Sequence, residues 1–248
     1  MKPRYLLIQL RKDLYTNQEE YLRFLVAGRL RTSQLDVWDV FTETAMDPKK
    51  IAEYDAVFMG GSSDDPDDEI YFIPDDYPFV PAVLQAITDI RDRKQPFLAS
   101  CMGFHMVNQA LGGEIIIDVP GRESGAYDFV LSEEGRKDPL FEGLPTSFPV
   151  VSYHKKRAAQ IPPGMVNLGS TEACPYQVIR YPDRPFYAFQ FHPELDKDTV
   201  VRWSKRYAEK YFLSEEFIRE TEENFPETAV AASLIGRFLQ QHVASRLE

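Results

Sequence analysis

Phe97-Leu98-Ala99-Ser100-Cys101-Met102-Gly103-Phe104-His105 is the stretch on which the fold turns. With Pro96, its first half is a short apolar run suited to a buried strand. From Met102 to Leu111 the spacing is helical and stops at Gly112-Gly113, a good C-terminal signal. Small residues, Ala99 and Gly103, stand two before and two after the cysteine. That is the spacing of a nucleophile elbow, where close chain packing leaves room only for small side chains. A lone cysteine after a strand is more often a small core residue. The strand-turn-helix junction is what makes Cys101 a candidate nucleophile. A thiol there faces the positive end of the following helix, which favours the thiolate. The Met102 N–H would point to where a tetrahedral oxyanion develops.

Outward from this junction, strand and helix alternate. Arg4–Leu10 reads as a buried first strand, and 17–30 follows with apolar Tyr21, Leu22, Leu25 and Val26 at helix spacing. Leu35–Phe41 and Tyr54–Met59 read as strands, the second ended by Gly60-Gly61. The acidic run Ser63–Glu69 reads as an exposed loop and Val80–Asp92 as a helix. Such alternation predicts an α/β fold with a mostly parallel central sheet and helices on both faces. The middle, from Glu114 to about Phe191, is richer in short strands, such as 114–118, 127–131 and 187–191. The tail is helical from about Lys197, with a break near Phe225-Pro226. No repeat, low-complexity tract or linker marks a boundary, so residues 1–248 read as one domain with a helical C-terminal extension.

Bulk properties narrow the function. The 248 residues carry a formal charge of -11, which repels phosphate backbones and argues against nucleic-acid binding. The one basic run, His154-Lys155-Lys156-Arg157, is too short to offset that. No stretch approaches the roughly 20 apolar residues of a membrane span, and the start, MKPRYLLIQLRKD, lacks a signal-peptide pattern. A soluble, cytoplasmic protein is expected. Cys101 and Cys174 are too few for a disulfide framework, neither has zinc-ligand spacing around it, and no metal or cofactor is expected. Cys174, before Pro175, reads as structural.

Two further pieces complete a constellation. In Gln190-Phe191-His192-Pro193-Glu194, Pro193 stiffens a turn that lets the Glu194 carboxylate reach the His192 imidazole. That is the general-base-plus-orienter arrangement a cysteine nucleophile needs. Gly60-Gly61 at a strand end leaves a backbone N–H free to face the reacting carbonyl, the second donor of an oxyanion hole.

Together these motifs resemble the class I glutamine amidotransferases, whose pattern is a Gly-Gly turn, an elbow G-x-C-x-G and a later H-P-E. Gln109–Gly113, Asp138–Pro145, Ser152-Tyr153-His154 and Ser170–Pro175 add to the resemblance, which covers about Arg4 to Glu194 in the family's order. Stand-alone proteins resembling the glutaminase domain of GMP synthase are the nearest in kind, since no P-loop follows. The resemblance implies a flavodoxin-like architecture and hydrolysis of the glutamine side-chain amide through a γ-glutamyl thioester. Cys101 would attack, His192 would shuttle the proton and Glu194 would orient it. The N–H groups of Gly61 and Met102 would form the oxyanion hole, with Gly60, His105 and His154 as candidates for holding the substrate. Glutamine or another γ-glutamyl small molecule is the expected ligand, and an ammonia-accepting synthetase a possible partner.

Three positions leave the family pattern. Ala99 replaces the first elbow glycine, Ser62 stands where proline is common, and His105 stands where glutamine usually helps hold the substrate. The last change leaves open a γ-glutamyl peptidase on the same scaffold. A binding protein that kept the fold is a third reading, against which the intact Cys101, His192 and Glu194 count. His154 is expected in a loop near the pocket mouth and His242 on the surface of the terminal helix.

Overall fold

The computed structural model describes residues 2–62, 70–206, 208 and 214–244, so the acidic run 63–69 lies outside the described residues. β1 (Tyr5–Gln9), α1 (Leu14–Gly28), β2 (Leu35–Asp39), α2 (Pro48–Ile51) and β3 (Ala56–Met59) open the chain. α3 (Val80–Asp92), β4 (Phe97–Ser100) and α4 (Met102–Leu111) follow. Strands dominate the middle: β5 (Glu114–Ile117), β6 (Glu123–Leu131), β7 (Ser147–His154), β8 (Lys156–Gln160), β9 (Val166–Ser170), β10 (Val178–Arg180) and β11 (Phe186–Phe189), with the single-turn α5 (Glu133–Lys137) between β6 and β7. The tail holds α6 (Lys197–Arg206), α7 (Glu215–Asn224), α8 (Ala229–Ala232) and α9 (Leu234–His242), and the expected break falls between α7 and α8.

Nine strands form one sheet in the order β2-β1-β3-β4-β11-β10-β9-β6-β7. Strands β2, β1, β3, β4 and β11 pair in parallel, as crossover helices require. From β10 onward the pairing is antiparallel. A separate β5–β8 ladder flanks this sheet.

Alternation along β1 shows how both faces are covered. Leu6 and Ile8 pack with Val83, Ile87, Phe104 and Val107 of α3 and α4. Tyr5 and Leu7 pack with Phe24 of α1 and Leu234 and Phe238 of α9 on the other face. Sheet strands covered on both sides read as continuous apolar runs rather than alternating ones, which β1, β3 and β4 all do. The inward face of α1 differs from its apolar pattern. Asn17, Glu20, Phe24, Leu25 and Gly28 are buried, whereas Leu22 and Val26 are 44% and 61% exposed. Three polar side chains, Thr16, Asn17 and Glu20, are therefore buried in the first half of this helix, near the carboxyl ends of the parallel strands. Ligands bind at that edge in open α/β sheets.

Candidate active site

Cys101 follows β4 directly, and its neighbours in the sheet bring the other motifs to it. On one side β3 ends in Gly60-Gly61, and on the other β11 leads into Gln190–Glu194. The Cys101 N–H donates to the Phe189 carbonyl at 2.8 Å, and the His192 N–H to the Val151 carbonyl at 2.8 Å. Motifs distant in sequence thus meet because their strands are adjacent.

The elbow is real in backbone terms. Cys101 has φ 51° and ψ -104°, a conformation that costs a non-glycine residue roughly 1–3 kcal/mol and is held only by its surroundings. Those surroundings are tight. A Cβ at Gly103 would lie 3.0 Å from the Ala99 Cβ and 3.0 Å from the Met59 carbonyl oxygen. The Gly103 N–H donates to the Gly60 carbonyl at 3.1 Å, tying the elbow to the glycine turn. Met102 begins α4, so its N–H has no intrahelical acceptor.

His192 is 4% exposed and its Nδ1 lies 2.6 Å from Glu194 Oε1, leaving Nε2 for the Cys101 sulfur. Burial by itself would lower the His192 pKa. The negative charge of the Cys101 sulfur, then that of Glu194, with hydrogen bonds to both, outweighs burial and raises it to about 10. Burial pushes the Glu194 carboxyl up, but the charge and hydrogen bond of His192 bring it below its ordinary value. The Cys101 sulfur also reaches the Tyr153 carbonyl at 3.8 Å. This arrangement sets a buried imidazole between a sulfur and a carboxylate that holds its other nitrogen.

Gly61 borders the same space. A Cβ there would stand 3.0 Å from His192 Cε1 and 3.5 Å from Cys101 Cβ. Its N–H, expected as an oxyanion donor, instead donates to Glu20 Oε1 at 3.0 Å. The reason is a buried ion pair that sequence reasoning missed, Arg11 Nε to Glu20 Oε1 at 2.7 Å. Glu20 is 1% exposed and Arg11 5%. Burial raises the Glu20 pKa, opposed chiefly by Arg11. The available signal was weak: an arginine just past a buried strand, and a glutamate on a helix whose apolar residues suggested another face.

The substrate-holding candidates are placed otherwise than expected. Gly60 has its N–H on the Ile8 carbonyl and its carbonyl on Gly103. A Cβ there would fall 2.3 Å from Glu20 Oε1, so Gly60 serves packing. His105 does not face an open pocket: it is 4% exposed and its Nε2 lies 2.9 Å from Gln190 Oε1. The physical reason is that α4 is buried continuously from Met102 to Asn108. His154 is the last residue of β7 rather than a loop residue, and its Nε2 pairs with Glu123 Oε2 at 2.8 Å in the interior. Glu123 also accepts from Gln177 Nε2 at 2.6 Å and from the Thr171 hydroxyl. That network was likewise not foreseen. His242 is packed too, its ring 5.3 Å from Phe238 and 5.7 Å from Tyr187. Cys174 is fully buried, and burial pushes its thiol up to about 12. A surface cavity of about 290 Å³ lined by Tyr54, Asp55, Arg93 and Lys94 lies at the opposite end of the sheet from Cys101.

The family model described as glutamine amidotransferase class-I matches residues 17–200. A glutamine-hydrolyzing GMP synthase of Thermosipho africanus is 37% identical over 120 residues, 48% of this chain and 21% of that protein. A glutamine-hydrolyzing GMP synthase of Pyrococcus abyssi, whose name marks it as one subunit of that enzyme, is 32% identical over 101 residues, 40% of this chain and 51% of that one. The matches thus span from about a fifth to about half of these relatives. A glutamine amidotransferase from Thermotoga maritima superposes with a TM-score of 0.69 at 22% identity, covering 98% of this chain and 99% of that one. No helix among the described residues is long and apolar enough to cross a membrane.

Proposed function

Because the chain belongs to the class I glutamine amidotransferase family, we propose that it hydrolyses the glutamine side-chain amide through a γ-glutamyl thioester on Cys101. The observation that carries the reading is the strained Cys101 backbone beside a buried His192–Glu194 pair. Cys101 sulfur attacks the amide carbon, and the carbonyl π pair moves onto oxygen. His192 gives its proton to the departing nitrogen, which leaves as ammonia. Water, deprotonated by His192, then opens the thioester to glutamate. Glu194 keeps Nδ1 protonated and so directs Nε2 at the reacting atoms. The Met102 N–H stabilises the oxyanion; losing such a donor costs about 3 kcal/mol in the transition state. The ammonia would pass to a synthetase partner, a role consistent with the naming of the Pyrococcus abyssi relative as one part of a larger enzyme.

The test is glutamate release from glutamine and a panel of γ-glutamyl amides, with Cys101→Ala beside the wild type. Turnover should vanish in Cys101→Ala with the fold intact. A glutamine-mimicking chloroketone should label Cys101 once and leave buried Cys174 untouched. Undiminished turnover in the variant, or labelling at Cys174, would sink the reading. Release of amines but no ammonia would point instead to a γ-glutamyl peptidase.

A further inference from the structure

The oxyanion hole is short of a donor. The Gly61 N–H is directed at Glu20 Oε1, not at the space above Cys101. Rotating that peptide toward substrate would withdraw it from a carboxylate that is 1% exposed. That carboxylate accepts from three groups: Gly61 N–H at 3.0 Å, Arg11 Nε at 2.7 Å and Gln9 Nε2 at 3.3 Å. Taking a hydrogen bond from a buried charge is costly, so the Gly61 N–H stays where it is.

Another donor borders the same space. The Cβ position left vacant at Gly61 is 2.8 Å from Arg11 Nη2, 3.0 Å from His192 Cε1 and 3.5 Å from Cys101 Cβ. Guanidinium, base and nucleophile therefore meet at one small opening. Only Nε of Arg11 is used on Glu20, and among the described residues no acceptor takes its Nη groups. Arginine carries five N–H donors in a rigid fork, and here the fork is held on two sides. Glu20 grips Nε, and the Trp203 ring of α6 lies 5.7 Å from the guanidinium carbon. Preorganised donors of this kind act where charge develops in the transition state, without reorganising.

We propose that Arg11 is a catalytic residue, its Nη2 group donating the second hydrogen bond to the oxyanion beside the Met102 N–H. The assignment rests on the thioester mechanism above and adds no proton transfer. As sulfur bonds to the amide carbon and the π pair moves onto oxygen, Arg11 stays protonated and holds that oxygen until the pair returns and ammonia leaves. Glu20 is a positioning residue that aims the fork and keeps Gly61 out of the role.

The experiment compares wild type, Arg11→Met and Arg11→Lys in three assays. These are steady-state glutamate release from glutamine, alkylation of Cys101 by iodoacetamide, and inhibition by glutamate γ-semialdehyde, whose thiohemiacetal mimics the tetrahedral intermediate. Alkylation forms no oxyanion. We expect kcat to fall about 10²–10³-fold in Arg11→Met and at least about tenfold in Arg11→Lys, with KM little changed. Semialdehyde affinity should fall by the same factor as kcat, while the alkylation rate holds. Should Arg11→Met fail to fold with Glu20 unpaired, Arg11→Lys, which keeps the charge, decides the matter. Undiminished kcat in a folded Arg11→Lys would overturn the assignment. So would a parallel fall in kcat and alkylation, which would place Arg11's effect on the sulfur. If the wild type itself released glutamate from no γ-glutamyl compound, the parent mechanism would fall and this role with it.

Discussion

The His105 ring lies sealed between α4 and the end of β11, and burial, reinforced by the charge of His154, lowers its pKa to about 3. In the unfolded chain the ring titrates near 6.5. Between those values the unfolded state holds a proton that the folded state refuses, so stability falls as pH drops. By pH 5 the loss from this one group is about 2 kcal/mol. Glutamine cannot take the proton and can still bond Gln190. His105→Gln should therefore lose about 2 kcal/mol less stability than wild type between pH 7.5 and pH 5, read from urea midpoints. Equal losses would mean that the ring protonates in place and lies open to water. The pairing of His192 with Glu194 was legible at this scale, since it follows from residue type and short spacing. Arg11 and Glu20 were not, because their meaning depends on which way each side chain turns.

At the scale of elements, the elbow depends on how β3, β4 and α4 cross. The first turn of α4 approaches β3 so closely that a methyl group at Gly103 would meet the Met59 carbonyl oxygen at 3.0 Å. A backbone oxygen in a sheet cannot move aside as a flexible side chain can. Gly103→Ala should cost about 1–3 kcal/mol of stability by overpacking, measured by chemical denaturation. Its kcat should fall further than that stability change implies, since the same shift displaces Cys101. Unchanged stability and turnover would show that the crossing has room to spare. Ala99 and Gly103 signalled this crossing by size alone. Strand limits also came close, with β4 and α4 within a residue of their expected bounds. The inward face of α1 was misjudged because Tyr21, Leu22, Leu25 and Val26 suggest an apolar stripe. The interior there asks for Glu20, to match Arg11.

Across the whole molecule, the antiparallel half of the sheet is joined to the edge that carries Cys101 by the Glu123 network. Glu123 on β6 accepts from His154 on β7, from Thr171 just past β9 and from Gln177 just before β10. Gln177 also ties to the segment just past β11, its carbonyl accepting the Gln190 N–H at 2.8 Å. Burial pushes the Glu123 carboxyl up, but hydrogen bonds from His154 and Thr171 bring it below its ordinary value. Glu123→Ala strips three buried groups of their acceptor at once. It should destabilise the protein by about 3–5 kcal/mol, seen as a lower denaturation midpoint with little change in slope. A loss under about 1 kcal/mol would show that water reaches these groups freely.

Periodicity and local spacing are properties of the chain itself, and they were enough for the α/β class, the parallel strands and the elbow. The family resemblance followed from the order of short motifs, each readable without knowing its neighbours in space. Which strands lie side by side is a different kind of fact. β4 sits between β3 and β11, and only that order sets Gly61 and His192 against Cys101. Burial is likewise a property of the assembled molecule: it neutralises His105, turns His154 inward and makes Glu20 hold the Gly61 N–H. Buried polar groups must find partners wherever packing leaves them. Their roles are therefore settled by long-range contacts that no local pattern encodes.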